Sequence, residues 1–246
     1  RDVTEQRQAQ QREFQLQLEQ ERRQLLTTFI QNAAHEFRTP MTTISTSAHL
    51  MARSDDADNR REKADRIHHQ VKRVIRLVEM LTLMAKLEGD TDLKQSAFSL
   101  RNLVETAAEE IIGRYGEQPI LNVADLSGLP KVTGNQDLLT DAFVQILDNA
   151  YRFTPSDGEI TLKAAVDEDR NTVSLEVHDN GTGIPEEALL HVFETFWRED
   201  RAHTTPGFGL GLTIARNIIE RHDGTITLVS EEGKGTCVCV SLPIAQ

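Results

Sequence analysis

Phe29 to Pro40, FIQNAAHEFRTP, places a histidine, a glutamate and a threonine just ahead of a proline. On a helix, four apolar residues here share one face within about 40°: Leu26, Ile30, Ala33 and Phe37. His35 points roughly to the opposite side, so we expect it to be exposed. Thr39, one turn later, lies on the same side, and Pro40 predicts a bend there. Taken alone, this pattern favours a solvated histidine on an amphipathic helix.

The flanking residues predict two long helices. Residues 1–28 are rich in Gln, Glu and Arg and lack Gly and Pro, which is typical of a helix coiled with a partner. Helix continues to about Arg53, and Ser54–Asp58 supplies a turn. The second helix carries a heptad seam: Ala64, Ile67, Val71, Val74, Val78, Leu81 and Ala85. Two antiparallel helices leave much of such a seam exposed, so the sequence predicts a homodimeric four-helix bundle.

Composition divides the chain into two unequal parts. The chain has 246 residues, and residues 91–246 contain 12 Lys and Arg against 25 Asp and Glu. This acidic balance argues against a nucleic-acid partner. Cys237 and Cys239 have strand-like spacing, which suggests core packing and a reducing compartment. With no signal peptide and no run of 18 apolar residues, we expect a soluble chain that could be a fragment of a longer protein.

The acidic part alternates between helix and strand patterns after a linker near Gly89–Asp92. Helices are expected near 100–115, 135–153, 186–192 and 209–222. Strands are expected near 120–124, 131–133, 159–166, 172–178, 225–229 and 236–242. The short turn at 167–171 predicts an antiparallel hairpin, so the sheet should be mixed.

Three segments in this part could carry chemistry. Asn149 sits at the rim of an amphipathic helix, where its amide oxygen suits Mg²⁺, and Arg152 could offset phosphate charge; taken alone, the pattern favours a plain polar face. Asp179 continues the inward parity of its strand and needs a partner, either an adenine amine or a strand-ending Asx turn. Gly207-Phe-Gly209-Leu-Gly211 precedes a helix whose first amides could hold phosphate. The intervening stretch 192–206 could close over a nucleotide as a lid.

The order of these segments closely resembles the sensor histidine kinases of two-component systems over residues 25–245. The matching boxes are His35-Glu36-Phe-Arg-Thr39-Pro40, Asn149-Ala, Asp179-Asn-Gly-Thr-Gly183, Phe193 with Phe196, Gly207-x-Gly209-Leu-Gly211-Leu, and Gly233-Lys-Gly-Thr236. The resemblance implies an α plus α/β fold, in which a helical hairpin precedes an α/β sandwich of the Bergerat type. The expected parts are a signalling helix (1–28), a dimerisation and phosphotransfer domain (29–88), a linker (89–95) and an ATP-binding domain (96–246).

The resemblance also implies a role for each matching residue. His35 would accept the γ-phosphoryl group of ATP, Glu36 would orient its ring, and Thr39 would help to dephosphorylate the regulator. Asn149, with Gln145, would hold Mg²⁺. Nucleotide contacts are expected from Arg152, Asp179, Gly181, Gly183, Phe193, Phe196, Gly207, Gly209, Leu210, Gly211 and Thr236. The implied partners are a second copy of the chain and the receiver domain of a response regulator. The resemblance also implies a cytoplasmic location for this portion and a sensor domain upstream of it.

One residue departs from the family pattern, and two other functional classes are alternatives to a histidine kinase. Gln145 stands where the family often has Asn, and where related ATPases use a glutamate to activate water; it therefore argues against a chaperone-type ATPase. A zinc hydrolase would need a second His at Thr39. The other alternative is a catalytically inactive dimeric signalling scaffold, which labelling with ATP would distinguish from a kinase.

Overall fold

The structure is a computed structural model that describes residues 2–89, 95–198 and 207–245, except for the side chains of residues 2–12, 18, 21, 22 and 88. Contacts divide the chain into two units, Arg1–Glu79 and Met80–Gln246. The division falls within a helix, so the predicted domain boundary at residues 88–95 stays a prediction. Among the described residues, no helix combines the length and apolar character needed to cross a membrane.

The first unit is built from two helices, α1 (Asp2–Arg53) and α2 (Ala57–Glu88). The turn between them confirms the predicted helical hairpin. α1 continues through Pro40 as one helix. Beyond the proline, the hydroxyls of Thr42 and Thr43 donate to the carbonyls one turn earlier, at 2.9 and 3.1 Å; such bonds often accompany a helix bend. A change of axis direction at Thr39 stays a prediction.

The buried face of α1 differs from the predicted apolar face. Its buried positions follow a heptad spacing: Ala33, Glu36, Pro40 and Ser47. Leu26 and Ile30 are exposed, so the buried face is rotated by about 60° from the apolar stripe. In α2, Val71 of the predicted seam is 40% exposed and the neighbouring Ile75 is 51% exposed. Much of the apolar surface of the hairpin therefore remains exposed within one chain.

The second unit contains the predicted mixed sheet. Its five strands are β2 (Ile120–Val123), β4 (Glu159–Asp167), β5 (Thr172–Asp179), β6 (Thr225–Glu231) and β7 (Gly235–Pro243). They lie in the order β2-β4-β5-β7-β6, with β2 parallel to β4 and the other pairs antiparallel. β1 (Ser96–Phe98) pairs with β3 (Val132–Gly134) in a separate small sheet. Sequence reading missed the three-residue strand β1.

Helices cover one face of the five-stranded sheet. They are α3 (Leu100–Tyr115), α4 (Gln136–Phe153) and α6 (Gly211–Glu220), with a short α5 (Glu186–Leu189) beside them. α4 lies between α3 and α6, so it is buried on most of its circumference, and Phe143 and Leu147 are fully buried. The side chain of Asn135 begins α4 by accepting the amide hydrogen of Leu138 at 3.0 Å. This helix carries several of the candidate site residues.

The two cysteines do not belong to the core, so that prediction was wrong. β7 points Val238, Val240 and Leu242 inward, and the alternating Cys237 and Cys239 are half-buried on the opposite face as free thiols. Partial burial, reinforced by the carboxylate of Glu176, raises the pKa of both thiols. Neither cysteine is activated for chemistry at this position.

Candidate functional site

A cavity of about 770 Å³ opens in the α/β unit between α4, the end of β5 and the loop before α6. Most of the residues predicted to bind nucleotide line it: Asn149, Arg152, Asp179, Gly181, Gly183, Gly207, Gly209, Gly211 and Thr236. Apolar walls come from Ile146, Val177, Ile184, Leu212 and Val238. A concave apolar site with a few polar groups is the usual form of a small-molecule site.

Asp179 lies at one end of this cavity and is buried. Its Oδ1 accepts the backbone amides of Gly181 at 2.9 Å and Thr236 at 3.2 Å. Burial raises the pKa of Asp179, and these two hydrogen bonds oppose that shift. The Asx turn proposed as the alternative is therefore present. Because both of these bonds use Oδ1, they are compatible with a ligand at Oδ2.

The glycines beside Asp179 let two backbone segments approach closely. Gly183 has φ +67°, and a side chain there would strike the carbonyl of Glu231. The amide of Gly233 donates to the carbonyl of Thr182 at 2.7 Å, which fixes the loop after β5 to the β6–β7 turn. This tight junction forms one wall of the cavity, which explains why these boxes contain glycine.

Asn149 and Gln145 lie one turn apart on α4 and face the start of α6. A methyl group placed at Gly211 would come within 3.4 Å of Gln145 Oε1 and 3.6 Å of Asn149 Nδ2. Oε1 of Gln145 is buried, and no described residue donates a hydrogen bond to it. Two amide oxygens, one of them buried without a donor, beside a helix N-terminus suit a hard cation together with phosphate. The residues present therefore fit Mg²⁺ and a phosphorylated ligand.

Arg152 follows three residues after Asn149 and also lines the cavity. It forms an ion pair with Asp148, which is 1% exposed. Asp148 is buried because α3 covers this side of α4 and supplies Arg114 and Tyr115 as its partners. The pairing holds the guanidinium at the cavity wall, near Gly207.

Two phenylalanines and a leucine predicted to contact nucleotide do not line the cavity. They are Phe193, Phe196 and Leu210, of which Leu210 is fully buried. The carbonyl of Phe193 accepts the Thr213 hydroxyl at 3.0 Å, and the amide of Phe196 donates to the Gly209 carbonyl at 2.7 Å. They therefore brace the loop that precedes α6. The predicted lid at 192–206 is described as far as 198; residues 199–206 lie outside the described residues.

In the hairpin, His35 and Thr39 are exposed on α1, as expected, whereas Glu36 is buried. The Glu36 Oε2 lies 3.4 Å from Arg73 Nη2 on α2. His68 and His69 are exposed, as predicted. The hairpin thus presents a histidine next to a carboxylate that is turned into the helix pair.

Two family models match the chain. The family "His Kinase A (phospho-acceptor) domain" matches residues 25–90, and "Histidine kinase-, DNA gyrase B-, and HSP90-like ATPase" matches residues 134–246. The chain is 32% identical to the sensor histidine kinase WalK of Bacillus subtilis, covering 100% of this chain and 39% of WalK. It is 35% identical to the sensor protein kinase PmrB of Pseudomonas aeruginosa, covering 93% of this chain and 47% of PmrB. The chain belongs to the sensor histidine kinases of two-component systems.

Solved structures of sensor histidine kinases share the fold. Full-length ShkA in complex with AMPPNP has a TM-score of 0.64 and 25% identity, covering 86% of this chain and 44% of ShkA. ThkA in complex with the response regulator protein TrrA has a TM-score of 0.73 and 22% identity, covering 92% of this chain and 64% of that one. The chain spans less than half the length of WalK and PmrB.

Some residues of this sensor histidine kinase site had no sequence signal. Arg73 reaches Glu36 from α2, and Arg114 and Tyr115 reach Asp148 from α3. These pairs join residues 33 to 37 positions apart, so local patterns do not reveal them. Trp197 also lines the cavity; it lies within the stretch 192–206 that was predicted to form a lid, but it was not singled out there.

Proposed function

We propose that this chain binds MgATP in the cavity of the α/β unit, transfers the γ-phosphoryl group to His35, and passes it to an aspartate of a response regulator. The observation that carries the proposal is the convergence of Asn149, Arg152 and Asp179 on one cavity. The exposure of His35 supports its role as the acceptor, because an incoming phosphate must reach the imidazole.

Each residue has a role in this proposal. Asp179 accepts a hydrogen bond from the adenine amine. Because Asp179 is buried, a base that cannot donate this hydrogen bond would bind with a less favourable free energy. Asn149 and Gln145 would hold Mg²⁺, which when bound would neutralise phosphate charge. The amides at the start of α6 and the guanidinium of Arg152 face the phosphates.

At the acceptor, a bond forms between an imidazole nitrogen of His35 and phosphorus, as the bond from phosphorus to ADP breaks. Glu36 would accept the N–H of the other ring nitrogen, orient the ring and receive the proton, which requires its carboxylate to turn from Arg73 toward His35. The proposed domains run from 29 to 88 and from 96 to 246, after a signalling helix at 1–28 and with a linker at 89–95. We further propose a homodimer formed through the hairpin, a cytoplasmic location, and an upstream sensor domain.

Thr39 is proposed to help remove phosphate from the regulator, which would make the enzyme bifunctional. It is exposed one helical turn from His35, where its hydroxyl can orient a water molecule. Thr39→Ala should lose regulator dephosphorylation and keep autophosphorylation. Equal loss of both activities would contradict this role.

Labelling with γ-labelled ATP and Mg²⁺ tests the kinase activity. Label on the wild type should be acid-labile, as expected of a phosphoramidate, and His35→Ala should abolish it. His68→Ala is the matched control, because His68 is exposed on α2 and should label normally. No label on the wild type would favour the inactive scaffold, and full label on His35→Ala would overturn the assignment. A screen of purified response regulators for fast phosphotransfer then identifies the partner.

A further inference from the structure

A buried network joins α3 to the cavity through Asp148. Oδ1 of Asp148 accepts hydrogen bonds from Arg114 Nη1 at 2.9 Å and from the Tyr115 hydroxyl at 2.7 Å. Oδ2 pairs with Nη2 of Arg152. Asp148 is 1% exposed, so its charge is compensated almost entirely by these protein groups.

The network fixes the direction of the Arg152 guanidinium. Nη2 is held by Asp148, and Nε donates to the Tyr115 hydroxyl at 3.4 Å. The Tyr115 ring is itself stacked on Tyr151 with centroids 5.8 Å apart. Because a guanidinium is planar, anchoring two nitrogens sets the direction of the third. Nη1 faces Gly207, where an added methyl group would come within 2.9 Å of it.

The network also compensates the negative charge of Asp148 when Arg152 faces an anion. Arg114 pairs with Glu110 at 2.6 Å as well, but the Glu110 side chain is 49% exposed and screened by water. Arg114 therefore compensates chiefly Asp148, which has far less water around it. With a second cation and a hydroxyl on Asp148, Arg152 does not have to compensate Asp148 alone when phosphate binds at the cavity.

We propose that Asp148, supported by Tyr115 and Arg114, is a positioning residue that aims Arg152 at the phosphates of the bound nucleotide. This inference rests on the proposed function, because it needs a nucleotide in the cavity. It predicts that the network governs affinity for phosphates and leaves recognition of the nucleoside, at Asp179, unchanged. If the network merely joins α3 to α4, its loss should affect phosphate affinity and nucleoside recognition alike.

Tryptophan fluorescence can separate these two outcomes. Trp197 is the single tryptophan of the chain and lines the cavity, so its emission reports ligand binding. The full chain is titrated with ATP and Mg²⁺, and separately with adenosine. Asp148→Asn should weaken ATP binding about 10- to 100-fold, the size expected for loss of a charge-assisted contact, and should change adenosine binding less than about twofold.

Two further variants and a control complete the test. Arg152→Gln should weaken ATP binding at least as much, and adding Asp148→Asn to it should cause no further loss, because both act through one guanidinium. Tyr115→Phe removes the hydroxyl without changing charge and should cause about a threefold to tenfold loss for ATP alone. If Asp148→Asn does not fold, Tyr115→Phe still tests the proposal. Asp137→Asn, an exposed carboxylate on the first turn of α4, should change neither affinity.

The failures of the inference and of the proposed function are distinguishable. Wild type that binds neither ATP nor adenosine would overturn the proposed function and the inference with it. Wild type that binds ATP, with Asp148→Asn and Tyr115→Phe retaining full affinity, would overturn the inference alone. Equal losses for ATP and adenosine in these variants would also overturn it, because the network would then support the whole cavity.

Discussion

The helical hairpin and the α/β unit differ in how completely one chain buries their apolar side chains. Ile75 of the hairpin is 51% exposed, whereas Phe143 of the α/β unit is fully buried. Burying one large apolar side chain stabilises a protein by about 1.5–3 kcal/mol. The α/β unit gains this stabilisation from its own three helices and sheet. The hairpin exposes a heptad surface, which supports the proposal that a second copy covers it.

Charged substitutions on the exposed apolar surface of α2 should have the largest effect. Val71→Asp combined with Ile75→Asp would place two carboxylates in the proposed dimer interface, each costing several kcal/mol when buried. We expect the dimer dissociation constant to rise about 1000-fold or more, measured as mass by light scattering over a concentration series. Val166→Asp is the matched control, because Val166 in β4 is 42% exposed. An unchanged mass for the double variant would contradict the dimer.

The second-largest expected effect is the difference in stability loss when a phenylalanine is truncated in each of the two regions. Phe143→Ala removes a fully buried ring from α4 and should lower the free energy of unfolding by about 3–5 kcal/mol. Phe14→Ala, on the surface of α1 that is exposed in one chain, should cost less than about 0.5 kcal/mol when it is measured in the Val71→Asp, Ile75→Asp background, where the proposed dimer is absent. Urea unfolding followed by Trp197 fluorescence measures both. Similar costs would mean that the α/β unit does not hold its own core.

The buried carboxylate of the hairpin should have an intermediate effect. Arg73→Gln removes the guanidinium 3.4 Å from Glu36 and should lower stability by about 1–3 kcal/mol. Arg73→Lys should recover part of this loss, and the exposed Arg66→Gln should change nothing. Thermal unfolding followed by helical circular dichroism provides the readout. If Arg73→Gln costs the same in a Glu36→Gln background, the two groups do not interact.

The smallest expected effect concerns a carboxylate of the α/β unit that has acidic neighbours. Burial, reinforced by Glu110 and Asp137 and opposed by Lys86, raises the pKa of Asp141 to about 6. Its protonated form is favoured in the folded state, so its contribution to stability is complete below about pH 4 and is lost as pH rises through 6. Asp141→Asn should therefore stabilise the protein by about 1 kcal/mol at pH 7.5, since partial exposure reduces the effect.

The pH dependence provides the control for that prediction. The advantage of Asp141→Asn should disappear near pH 4, where the wild-type carboxyl is already protonated in the folded state. Asp157→Asn, which removes an exposed carboxylate, is the control variant. Unfolding midpoints measured from pH 4 to pH 8 provide the comparison, and an advantage that persists at pH 4 would contradict the assignment to Asp141.

The sequence by itself determined most of the elements and their order. Helix and strand periods marked every element except β1, and glycine boxes marked the loops that meet at the cavity. The exposure of His35 followed from its position opposite an apolar stripe, and the burial of Asp179 followed from strand parity. These features depend on residues near one another in the chain, where period and turn chemistry apply.

Only the tertiary structure decided which charged groups pair. The partners of Asp148 come from α3, and the partner of Glu36 comes from α2, so neither was visible in local spacing. It also decided that Cys237 and Cys239 face away from the core, because strand alternation gives two faces without saying which one the helices cover. A pattern fixes which residues share a face, whereas packing fixes what that face meets.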